Sequence, residues 1–577
     1  SAVLAGTAGA NVTVGTTTLS GSNSYTGATT VGSGVLAVTA NNALGTTAAG
    51  TTVASGAVLD LQNVTYAAAE NLTLNGGTLR TSTGTSSFAG AVTLTGSPVI
   101  NVTGTMLTLG GAVDGAVGLQ TTGAGIVDFA GLVGSGTPLT SISAASAVSV
   151  STASIITTST QTYDGQVTLG ATTNLTGSTV TFLDKIVGAA NGLTVTGNAV
   201  FGDAAADTVT GLSSLHVTGT SGINTNTVTT TGTQAYDSAV SLGTNTTLSG
   251  NGIGFSGTVN GARALSVVDA GSTTFGGAVG GSTPLTSLTV SGGGTTTING
   301  SITTSGASGV SLTGVNLALN APITTTGGGG VTIGESGTVT SAAAGDIVAG
   351  GAVSITSGGT LTSAGDIGGT VVSVKGVGLA NSGTIAGTTS VTVDAGSGTL
   401  TNTGTITNGG AGSTAPIVLK GDSMALGGAV TGHAGPVTLT SGTVGQPISL
   451  IAGGGLVLSQ ANLNLPTTTG GLIVGDAAHT ADITIGGTVG TPTGSTGGFT
   501  INAGHDGAAG GGGQILDSGA GLLNMTGLVT LKAHGNIGAS AGAPVHVGAV
   551  TSLATSSETG DIFVSSSGPL VVAGVND

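Results

Sequence analysis

The sequence predicts an all-β chain folded as a parallel β-helix, roughly 28–30 rungs of about 19 residues each. Three observations carry this: a composition of strand and turn formers, a long repeat of constant length, and a shorter beat inside it. Of 577 residues, 113 are Gly and 11 Pro, while 38% are hydrophobic, 5% charged and 2% aromatic. Ordinary domains carry about 25% charged residues. Collagen would need Gly at a strict period of three, and charged disorder does not fit a mean hydropathy of +0.47. Val, Thr, Ser and Gly, in place of the Ala/Leu/Glu/Lys mixture of helical bundles, favour short strands punctuated by turns.

The long repeat lies in residues 129–300. FAGLVGSGTPLTSI at 129–142 returns as FGGAVGGSTPLTSL at 275–288, with a weaker copy from Phe201. TQTYDGQVTLG at 160–170 returns 73 positions later as TQAYDSAVSLG at 233–243. Within each copy the aromatics Tyr163, Phe182 and Phe201, and then Tyr236, Phe255 and Phe275, follow one another at spacings of 19 or 20 positions. With Phe129 they are the residues expected to form one aromatic stack along the coil, because adjacent rungs of a parallel ladder lie about 4.8 Å apart. Residues 1–128 precede these superrepeats. Residues 301–577 continue the beat without aromatics at that spacing: Val331, Val353, Val372 and Val391 each open a short strand, at spacings of 22, 19 and 19 positions. A 19-residue unit cannot bury its own apolar face, but stacked units can, with Val, Ile and Leu inward and Thr and Ser outward. The Thr-rich runs 229–234, 294–300 and 322–330 are therefore expected on outward strands or corners. Separate β-sandwiches would need no fixed 19-residue register.

Six basic residues against 22 acidic ones leave a net charge of -16. Arg80, Lys185, Arg263, Lys375, Lys420 and Lys532 are scattered singly, too thin a basic surface to neutralise phosphates, so no nucleic-acid partner is expected. Zero Cys excludes disulfides, thiolate zinc sites and iron–sulfur clusters. No apolar run reaches the length that a membrane-spanning helix needs, roughly 18 residues. The opening SAVLAGTAGA carries neither an initiating Met nor a signal pattern, so a processed piece of a longer precursor is expected.

At 15–45 the chain reads GTTTLSGSNSYTGATTVGSGVLAVTANNALG. This resembles the passenger-associated repeat of bacterial autotransporters. The resemblance rests on Leu19, Ser20, Gly21, Asn23, Tyr25, Gly27, Thr29, Val31, Gly34, Leu36 and the closing Asn42, Ala43, Leu44 and Gly45. The Tyr-Asp-Gly units and the GTLTNTGTIT style of the remainder resemble the β-helix repeats of filamentous-haemagglutinin-like adhesins. Both resemblances imply a right-handed parallel β-helix at the extracellular surface of a diderm bacterium, exported with an outer-membrane secretion partner or barrel. No amino-terminal secretion domain or aromatic-terminated barrel matches here, which leaves the export route open.

No residue is assigned a catalytic, cofactor-binding or metal role, and no cofactor is expected. Ser540 in GASAG (538–542) fits the G-x-S-x-G pattern but sits beside Pro544 in a Gly/Ala-rich stretch with no strand and helix around it. His216, His433, His479, His505, His534 and His546 match no short metal motif and are expected on solvent-facing loops. Asp203 and Asp207, and Asp346 and Asp366 twenty positions apart, are expected to be turn residues, with calcium the alternative. Eight Asn-x-Ser/Thr sequons, among them Asn11 and Asn299, are available for glycosylation.

The expected function is that of a non-enzymatic, secreted, cell-surface fibrous adhesin or structural rod acting in attachment, aggregation or biofilm matrix. Its partners would be host or bacterial surface glycans and proteins, or further copies of itself in a homopolymer. A self-assembling extracellular filament or sheath subunit is the alternative, to which the apolar, cap-less opening SAVLAGTAGANVTV leans. A glycan-processing β-helix enzyme comes second, and it needs carboxylates grouped across a cleft.

Overall fold

The computed structural model describes residues 3–506, 512–548 and 550–576. It is nearly all β, with about 1% helix, and its parallel strands stack into a β-solenoid of about 27 turns spaced about 21 residues apart. Two compact units divide it, Ser1–Leu285 and Thr286–Asp577.

In the first unit each turn lays three short strands on three faces. Thr160–Tyr163, Val167–Leu169 and the first half of Thr173–Phe182 make one such turn, and the second half of that strand returns above Thr160–Tyr163. Side chains alternate. In Thr160–Tyr163, Gln161 and Tyr163 are buried; in Val92–Thr95, Val92 and Leu94 are buried while Thr93 and Thr95 are exposed. Gly makes the corners close enough to stack: Gly197 has φ +132°, and a Cβ there would stand 1.8 Å from the Gly177 carbonyl oxygen.

The second unit keeps the same logic with aliphatic side chains in place of the aromatic stacks. Val331, Val353, Val372 and Val391 stand in register on successive rungs, as do Val339, Leu361, Leu379 and Leu400. Later rungs lengthen. Leu472 answers Val437 after 35 positions, Phe499 answers Leu472 after 27, and Val529 answers Phe499 after 30. The first of these excursions holds the short helix Gln460–Asn464, capped by Ser459 and Asn462. These insertions make the turns fewer and longer than the 19-residue beat implies.

The Thr-rich runs do not all face outward. Thr230, Thr296 and Thr325 are buried. Thr230 Oγ1 donates to the Gly232 carbonyl at 2.7 Å, and Thr325 Oγ1 donates to that of Gly329. At these two positions the inward hydroxyl satisfies the carbonyl of the corner that follows, so burial costs it no hydrogen bond.

Candidate functional site

Three groups of side chains stand apart from plain apolar packing: the aromatic stacks, the polar corners beneath them, and titratable clusters at the surface.

Tyr163, Phe182 and Phe201 stack with ring centroids 5.5 and 5.7 Å apart and planes within 13°. Tyr236, Phe255 and Phe275 do the same at 5.3 and 5.2 Å. These are two stacks, not one. From Thr160–Tyr163 to Gln234–Tyr236 the chain lays down eleven strand segments, counting twice the strands Thr173–Phe182 and Gly192–Phe201 that cross two faces. With three segments per turn, eleven make three turns and two further faces, so each superrepeat begins on a different face from the last. Phe129 joins neither stack. Its register partners are Leu109 and Val150, with Phe88 one rung beyond Leu109. A further pair, Tyr66 and Phe88, stacks at 5.6 Å within the segment 1–128, where no aromatic spacing had signalled it.

Each tyrosine of the superrepeat works with the buried Gln two positions before it. Tyr163 Oη donates to Gln161 Oε1 at 2.8 Å, and Gln161 Nε2 donates to the carbonyls of Ile155 and Thr176. The next copy repeats this with Tyr236, Gln234, Val228 and Ser249, each 73 positions later. Thr173 Oγ1 donates to the Thr152 carbonyl, as Thr246 Oγ1 does to that of Thr225. The TQ-x-YD motif is thus an internal corner clamp. Burial pushes both tyrosine hydroxyls above their ordinary range, so neither carries acid–base chemistry near neutrality.

The residues of the 15–45 motif are structural in the same sense. Asn23 accepts from Leu4 N–H and donates to the Ala43 carbonyl at 2.6 Å. Tyr25 Oη and Thr29 Oγ1 are 2.6 Å apart, Thr29 donates to the Leu44 carbonyl, and Leu44 N–H donates to Tyr66 Oη. The motif ties neighbouring rungs from within. Asp269 plays a comparable part later, accepting from Gly252, Ile253 and Gly271 N–H and from Thr273 Oγ1. Desolvation opposes its charge, but those four donors outweigh it and hold its carboxyl below the usual range.

The acids considered for calcium serve turns. Asp207 Oδ2 accepts from the backbone of Asp203 and Ala204. Asp346 Oδ1 accepts from Asp366 N–H, and Asp366 Oδ1 from Thr384 N–H. Ser540 lies in an exposed turn where its Oγ accepts from Gly542 N–H. The histidines are not uniformly solvent-facing: His479 is 2% exposed, with its Nδ1 3.4 Å from Ser441 Oγ, and burial lowers its pKa. His216 pairs with Asp237 and His546 with Asp517, both at 2.8 Å.

Two shallow clefts open in the second unit. One, of about 520 Å³, is lined by Thr491, Thr493, Ser495, Thr496, Phe499 and Thr526 among others, with no charged residue. The other, of about 400 Å³, is lined by His433, Thr467, Thr468 and Thr469 and their neighbours, again without an acid. Neither offers the two carboxylates that glycoside hydrolysis requires. No family model matches the chain, and neither a curated protein nor a solved structure does.

Proposed function

We propose that this chain is a non-enzymatic, extracellular fibrous adhesin or structural element of a bacterial surface, of the autotransporter-passenger or filamentous-haemagglutinin-like kind. One observation carries this reading: the polar side chains with distinctive geometry, Gln161, Gln234, Asn23, Thr173 and Asp269, are committed to rung-to-rung bonds inside the coil. Such a chain contributes rigidity and a hydroxyl-rich surface on which charges are sparse and mostly negative. The Thr- and Ser-lined cleft around Phe499 is a fitting contact for neutral glycans or for a further copy, since hydroxyl pairs and apolar burial need no charge.

Negative-stain imaging of secreted material, with glycan and cell-surface binding assays on the purified chain, tests the proposal. Separate fibres with saturable surface binding support it. Continuous end-joined filaments would favour the sheath or filament reading. Release of reducing ends or unsaturated products from polysaccharides, abolished by one Asp or Ser substitution, would overturn it in favour of an enzyme.

A further inference from the structure

The strands Phe499–Ala503, Leu528–Ala533 and Ser552–Ser557 are successive neighbours in one parallel ladder, with Ala503, Ala533 and Ser557 in register. The chain leaves each at the same corner and places His505, His534 and Glu558 just beyond. Asp506 follows His505 in the left-handed region, at φ 69°. The solenoid thereby gathers, on three rungs, two imidazoles and two carboxylates from three separate stretches of the sequence.

The contacts within this corner are ordered. His505 Nε2 is 2.6 Å from Ser556 Oγ, which leaves Nδ1 as the ring atom facing the carboxylates. Asp506 Oδ1 lies 2.9 Å and Glu558 Oε1 3.9 Å from that Nδ1. Even so, Nδ1 is buried without a hydrogen-bond partner, because the near oxygen stands off the line a ring N–H would take. The outer carboxylate oxygens are held from the far side. His534 Nδ1 is 2.6 Å from Glu558 Oε2, and Lys532 Nζ donates to Asp506 Oδ2 at 3.1 Å. Asp506 N–H donates to Glu558 Oε1, orienting it toward His505. Three lone-pair atoms, one nitrogen and two oxygens, lie within 4.8 Å of one another. Atoms bound to one zinc ion at about 2.0–2.2 Å are about 3.0–3.5 Å apart, within reach of small rotations here.

We infer that His505, Asp506 and Glu558 form a binding site for one first-row divalent cation of the zinc class, with His534, Lys532 and Ser556 holding the ligands in place. An imidazole with two carboxylates suits zinc. Calcium prefers six to eight oxygens and gains nothing from the nitrogen. Bound there, the ion joins three rungs at one corner and draws the two acids together.

The test uses the full chain, stripped with a chelator, and titrated calorimetrically with zinc chloride, with cobalt(II) as an optical probe and calcium chloride as the comparison. One zinc per chain with a dissociation constant of about 1 μM or tighter is expected. Glu558→Gln, isosteric at an exposed position, and His505→Ala should each weaken binding at least about tenfold, and His534→Ala about tenfold through lost orientation. His216→Ala, remote from the corner, should change nothing. Zinc should also slow amide exchange in 499–503, 528–533 and 552–557. Unchanged affinity in Glu558→Gln with wild-type far-UV circular dichroism, absence of a 1:1 isotherm, or tighter binding of calcium than of zinc would each overturn the assignment.

Discussion

Phe182 lies between two rings, Tyr163 below and Phe201 above, and is 1% exposed. Phe182→Ala removes both stacking contacts and opens a cavity, at an expected cost of about 3–5 kcal/mol. Because each rung touches only its neighbours, the loss should stay local, read as faster amide exchange in 160–163 and 198–201 with little change beyond two rungs. Global unfolding at the same denaturant would show that the stack is not a local unit. Glu335 offers a second single-residue test. It is 3% exposed, both its carboxylate oxygens lack partners, and its register neighbours are Gly314 and Ser357. Burial raises its pKa to about 7 from an ordinary 4.5. The folded state therefore holds this proton more tightly than the unfolded chain does. The stability it contributes is fully present below about 4.5 and is lost as pH rises through about 7, roughly 3 kcal/mol in all. Glu335→Gln should flatten that dependence, so the stability difference between variant and wild type, followed by exchange of 331–357, should grow from pH 4.5 to 8. Parallel pH curves would mean that the carboxyl finds a partner.

At the scale of strands and turns, the superrepeat carries its own corner bonds. The Gln–Tyr clamp and the Thr caps recur intact at a spacing of 73, although successive copies begin on different faces. Deletion of residues 163–235 should join two equivalent positions, since Tyr236 then follows Thr162 and stacks above Ala144 as Tyr163 does. The shortened chain is expected to keep a wild-type β signal in far-UV circular dichroism and its protease resistance. Its downstream surfaces should turn by one face, about a third of a turn. Deletion of residues 163–172, about half a rung, leaves strands without register partners and should give a protease-sensitive product. Equal behaviour of the two deletions would show that the corner bonds do not set the register.

For the molecule as a whole, a net charge of -16 is set against a surface whose outward positions are mostly Thr, Ser and Gly. If copies associate as proposed, their contacts would rest on hydrogen bonds and apolar burial, while the common negative charge opposes approach. Screening shortens that repulsion, with a Debye length of about 3 Å at 1 M salt. Light scattering should therefore rise along a salt series, and contacts once formed should survive high salt. Dissociation on raising salt would assign the contacts to ion pairs.

The fold class was legible because a β-helix writes its period into the chain. Alternating Val and Thr give the strands their inner and outer faces, and the 19-residue spacing of Tyr163, Phe182 and Phe201 is the covalent length of one rung. Those are local quantities. The face on which each rung begins is not local, because it depends on the sum of residues used at every corner before it. For that reason the two aromatic triads part company, Phe129 falls between aliphatic neighbours, and the excursion between Val437 and Leu472 drops the turn count below the regular beat. The Thr hydroxyls that turn inward follow the same rule, since a corner carbonyl in need of a donor exists only once the corner has formed. The group around His505, His534 and Glu558 was invisible for a related reason. Short metal motifs bring ligands together along a helix or a hairpin, whereas this solenoid brings them together across stacked rungs, at separations set by insertions of no fixed length.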